Sequence, residues 1–101
     1  MDHEITIKDD CAFVSLSGEI DLACSNQVRI ILLDMVTQTP LTVLDLSAVE
    51  LIDSSGVANL LDAVQTAKRR GHKFELANPS PKVIRVLELA QLNSFFTIRD
   101  N

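Results

Sequence analysis

Three observations predict an α/β domain with a mixed, mainly parallel β-sheet and its helices mostly on one face. Stretches of alternating hydrophobicity and stretches of helical periodicity follow one another in the order β-β-α-β-α-β-α-β. Such alternation implies mainly parallel strands joined by right-handed crossovers. The strands also alternate apolar and polar residues instead of running as continuous aliphatic blocks, so one sheet face meets helices and the other stays partly open. Finally, the 101 residues are 47% hydrophobic and 23% charged. That length suits a single domain spanning 1–101 with one modest core, burying about 60–65% of the unfolded surface, and the composition argues against disorder.

Each element has its own signal. Glu4 to Lys8 alternates as a short strand does, and Asp9-Asp10 is a turn. Beyond the turn, Ala12, Val14 and Leu16 share one side, with Phe13, Ser15 and Ser17 on the other, so the first two strands read as a hairpin. Gly18 to Asp21 breaks that alternation. From Leu22 onward Val28, Ile31, Leu32 and Met35 recur at helical spacing, and Thr39-Pro40 ends the helix, because proline disfavours helical backbone in the residue before it. Thr42 to Leu46 is the next strand, with Leu44 and Leu46 on one face and Val43 and Asp45 on the other. Val57, Leu60, Leu61 and Val64 stripe the second helix. Lys68, Arg69 and Arg70 followed by Gly71 are helix-stop chemistry. Lys73 to Asn78 alternates again around Phe74 and Leu76. The Asn78–Pro81 loop opens a third helix with Pro81 at its first position and Val83, Val86, Leu87 and Ala90 as its stripe. Phe96 and Ile98 suggest a short last strand.

Composition narrows the function classes. The net charge is −5. Such a surface repels phosphate backbones and anionic lipid, which speaks against nucleic acid as a partner. No apolar run is long enough for membrane insertion. Cys11 and Cys24 lack metal-ligand spacing and read as reduced intracellular thiols, and the first residues have no signal-peptide pattern. His3 and His72 stand alone, so neither a metal nor another cofactor is expected. The basic run Lys68 to Lys73 reads as helix-end electrostatics.

The chemistry concentrates in Asp53-Ser54-Ser55-Gly56, between a strand and a helix. A nucleophile elbow would need Gly-x-Ser-x-Gly and a positioned histidine, and neither is present. A phosphate cradle would need more glycine than this chain's three. A helix cap on Asp53 or Ser54 explains one residue. It does not explain two hydroxyls and a glycine, which together describe a small, smooth helix tip that another backbone can approach. A modified serine uses the same geometry, because a helix N-terminus favours an added phosphate through its N–H groups and dipole.

The segments SLSGEIDLA, LDLSAVELIDSSGVANLL and KFELANPSPKVIRVLELAQLNSFFTI, in this order and spacing, resemble the STAS domain family, and in particular bacterial anti-sigma factor antagonists. The resemblance covers nearly the whole chain and is most specific at Asp-Ser-Ser-Gly. It implies a cytoplasmic, phosphorylation-controlled binding module without catalytic residues, in which Ser54 accepts the phosphate. Unphosphorylated, such a module sequesters an anti-sigma factor serine kinase of GHKL type and releases a sigma factor, and a serine phosphatase resets it. Asp21, Asp53, Ser54, Ser55, Gly56 and Val57 are the implied partner-binding residues. Many members continue with Leu-Gly where this chain has Val57-Ala58. The alternative implied by the same family is a regulatory or structural subunit of a larger assembly, a stressosome or a membrane transport complex.

Overall fold

Asp9 and Asp10 lie at φ 53° and 62°, the left-handed pair that a type I′ turn demands. This two-residue turn folds β1 (Asp2–Lys8) back on β2 (Cys11–Ile20) as an antiparallel hairpin. The computed structural model describes residues 1–99, so the last two residues of the expected domain lie outside it. After β2 come one 3-10 turn (Leu22–Cys24), α1 (Ser25–Gln38), β3 (Leu41–Ile52), α2 (Ser54–Arg69), β4 (Lys73–Ala77), α3 (Pro81–Leu89) and β5 (Thr97–Arg99). The sheet order is β1-β2-β3-β4-β5, and every pair after the hairpin is parallel. Each crossover therefore moves one strand in the same direction, and right-handed crossovers of that kind put the helices on one face.

That face carries the core. Val14, Leu16, Leu44, Leu46 and Leu76 from the strands pack with Val28 and Leu32 of α1, Leu60 and Ala63 of α2, and Val83 and Leu87 of α3, all buried. On the other face Phe13 remains 45% exposed, while Val43, at the centre of the sheet, is buried. Thr39 Oγ1 bonds the Met35 carbonyl at 2.7 Å and meets Thr42 Oγ1 at 3.1 Å, so the two buried hydroxyls satisfy each other.

Four sequence expectations need adjustment. The alternation does not end at Gly18: β2 continues to Ile20, because Gly18 sits at φ 84° and takes up a register shift that keeps the strand paired. The strand expected over Thr42 to Leu46 runs on to Ile52, since its second half pairs with Ser17 to Ile20. Asn78, at φ 49°, falls outside β4. The α1 stripe includes Val36, fully buried, while Ile31 is only partly covered.

Candidate functional site

β2 and β3 end side by side, Ile20 opposite Ile52, and both chains turn at an aspartate. Asp21 caps the 3-10 turn, its Oδ1 accepting the Ala23 N–H at 3.1 Å. Asp53 caps α2. Its Oδ1 accepts the N–H groups of Ser55 and Gly56 at 3.0 and 3.1 Å and the Ser55 hydroxyl at 2.6 Å. The other carboxylate oxygen reaches across to the first turn: the Leu22 N–H donates to Asp53 Oδ2 at 3.1 Å. The Asp53 N–H donates to the Ile20 carbonyl at 3.1 Å. Asp53 therefore ties the α2 tip to the connection after β2. The Ser55 hydroxyl, followed by the Gly56 amide, holds its carboxyl below the usual aspartate range against a smaller opposing effect of burial, and the Ser55 and Leu22 amides add to the lowering.

Ser54 is the first residue of α2 and is exposed. Among the described residues its hydroxyl has no hydrogen-bond partner, whereas that of Ser55 is committed to Asp53. The two serines thus have different surroundings. The first-turn amides at Ser55 and Gly56 are taken by Asp53, so the expectation that they stand free for an incoming phosphate is corrected. The smooth-tip reading of Gly56 also changes. Gly56 is buried, and a Cβ there would lie 2.7 Å from Ile52 Cγ1 and 2.8 Å from Ile20 Cγ2. The glycine lets the helix approach its own strands. Val57 is 7% exposed and belongs to the core, so Gly56 and Val57 shape the site from beneath while Asp21, Asp53 and Ser54 rim it.

One rim residue carried no signal in the sequence. Leu22 is 77% exposed although it starts a turn directly bonded to Asp53. Below it, the buried Asn59 of α2 donates to the Ser25 carbonyl at 2.8 Å, fastening α1 to α2. The Asn78–Pro81 loop is anchored elsewhere, by Ser80 Oγ on the Val49 carbonyl at 2.8 Å. His72 is bonded to the Val36 carbonyl through Nδ1 and so is not positioned as a base for Ser54. No group of three or more metal-ligating side chains occurs among the described residues, and none of their helices is long and apolar enough to cross a membrane.

Comparison with known proteins fits this geometry. The STAS domain model matches residues 2–101. The chain is 30% identical over 90 residues to a protein of Paenibacillus polymyxa named anti-sigma F factor antagonist, covering 87% of this chain and 77% of that one. The crystal structure of an anti-sigma factor antagonist from Mycobacterium paratuberculosis superposes with a TM-score of 0.85 at 26% identity, over 96% of this chain and 83% of that one. The phosphorylated form of the Bacillus cell fate determinant SpoIIAA shares the fold, with a TM-score of 0.78 at 19% identity over 99% of this chain and 91% of the other.

Proposed function

The chain belongs to the STAS domain family, and from that premise we propose that it is an anti-sigma factor antagonist switched at Ser54. Unphosphorylated, it binds an anti-sigma factor serine kinase of GHKL type and so frees a sigma factor. Transfer of the γ-phosphoryl group of ATP to Ser54 Oγ, with ADP leaving and the hydroxyl proton lost, breaks that complex, and hydrolysis of the phosphoester by a serine phosphatase, which consumes water and releases inorganic phosphate, restores it. In this reading the protein is ligand and substrate, and its partners do the chemistry.

The observation that carries the reading is the contrast at the α2 tip: an exposed Ser54 hydroxyl, without a partner among the described residues, beside an Asp53 whose carboxylate is held by four hydrogen bonds. A phosphate on Ser54 adds about −1.5 to −2 charges next to that carboxylate. Because Asp53 occupies the first-turn amides, the phosphate projects outward, where a bound partner would sit. Exposed Leu22 gives the same rim an apolar side chain, whose area a bound partner would remove from water.

Incubating the chain with its cognate kinase and ATP, then measuring complex formation before and after, tests the switch. The expected result is tight binding of the unphosphorylated chain and loss of binding on stoichiometric phosphorylation. Equal affinity of the two forms would sink the proposal.

A further inference from the structure

The β1 edge of the sheet is exposed along its whole length. In a two-residue type I′ hairpin the residues flanking the turn, Lys8 and Cys11, form a hydrogen-bonded pair. With the register Lys8↔Cys11, Thr6↔Phe13, Glu4↔Ser15 and Asp2↔Ser17, the even-numbered residues of β1 bond to β2. The N–H and C=O groups of His3, Ile5 and Ile7 therefore point outward, a free pairing edge. Ile5 and Ile7 lie opposite the buried Val14 and Ala12, on the helix-covered side of the sheet. They are nevertheless 39% and 54% exposed.

We propose that this edge pairs with the same edge of a second copy, antiparallel and centred on Ile5. The sequence of β1 is self-complementary in that register. Ile5 meets Ile5, and His3 meets Ile7 on both sides, so that all the outward backbone groups of these residues are used. On the opposite face Glu4 faces Thr6, and Asp2 faces Lys8 at both ends, two ion pairs of opposite sign. Moving the centre to Glu4 would set like carboxylates against each other, which is unfavourable. Moving it to Thr6 would leave His3 opposite the turn. The two-fold axis is normal to the sheet and extends it to ten strands. Since the β1 strands run antiparallel, the two Ser54 tips lie at opposite ends of the dimer and both stay accessible.

Sedimentation of the full chain from low micromolar to about 1 mM is the test. A dimer that grows with concentration is expected. Ile5→Pro removes an outward N–H together with the isoleucine at the centre of the pairing, leaves the hydrogen bonds to β2 in place, and should give a monomer with an unchanged far-ultraviolet circular dichroism spectrum. Lys8→Glu sets carboxylates opposite one another and should weaken the dimer about three- to tenfold, and reversing both charges, Asp2→Lys with Lys8→Asp, should restore it. The second pair of variants decides the matter if Ile5→Pro does not fold. A monomer at every concentration, or a dimer indifferent to both Ile5→Pro and Lys8→Glu, overturns the proposal.

Discussion

At the residue scale the site turns on which serine hydroxyl lacks a partner among the described residues. Ser55 is spent on Asp53 and Ser54 is not, so Ser54→Ala should abolish phosphorylation while still binding the partner, and Ser55→Ala should remain a substrate. Phosphopeptide mapping decides this, and label on Ser55 in the Ser54→Ala variant would reverse the assignment. Leu22→Ala should weaken partner binding about tenfold, because a leucine covered by a partner gains roughly 1.5–3 kcal/mol over one left in water and alanine keeps only part of that, with no shift in melting temperature because the side chain is exposed. Asp53 adds a pH dependence. Its folded-state pKa is depressed, so its contribution to stability is complete above the unfolded value, near 4, and is lost as pH falls through the lower folded value. Asp45 acts in the same sense: burial pushes it up, but the Ser47 hydroxyl and amide, with Asn78, outweigh that. Melting temperature should therefore fall below about pH 4, less steeply in Asp53→Asn. A slope unchanged by that substitution would mean that other carboxylates govern acid unfolding. The cap on α2 was legible from the local sequence, since an aspartate before a helical stripe is a near-neighbour signal. The Leu22 bond was not, because its partners are 31 residues apart and leucine in a turn announces nothing.

At the scale of elements, the helices were legible because their stripes and punctuation agree: Ser80 caps α3, Pro81 begins it, and Gly71 at φ 71° follows α2. The strand ends were not, because β2 and β3 both continue through segments whose pairing depends on each other. Gly18 looks like a terminator in one dimension and is a bulge in three. Gly56 is a similar case. In isolation a glycine in the first turn of a helix is a defect, and Gly56→Ala should gain about 1 kcal/mol of helix propensity. In place, the added methyl meets branch carbons of Ile20 and Ile52 at under 3 Å, and overpacking a filled core costs about 1–3 kcal/mol. Steric cost should win, so Gly56→Ala should lower stability in denaturant titration, and a stabilised variant would show that the α2 tip can move outward freely.

At the scale of the molecule, the proposed switch and the fold make opposite demands: phosphorylation at Ser54 would have to change the surface without unfolding the domain. The architecture separates them. The core lies under α1, α2 and α3, and the Ser54 hydroxyl lies outside it, at the end of a helix whose first-turn amides are already satisfied by Asp53. A phosphate added there breaks no buried contact, meets the favourable end of the α2 dipole, and meets unfavourably the charge of Asp53 at a solvent-exposed site. These exposed electrostatic effects are small, screened by solvent, and oppose each other. Phosphorylated chain should accordingly keep a single thermal transition, with stability within about 1 kcal/mol of the unmodified form. Calorimetry on the two forms, with near-ultraviolet circular dichroism as a check on tertiary packing, measures this. Loss of the transition on phosphorylation would mean that the tether between Asp53 and Leu22 carries the fold and not merely the site, and the switch would then work by local unfolding instead of by surface charge.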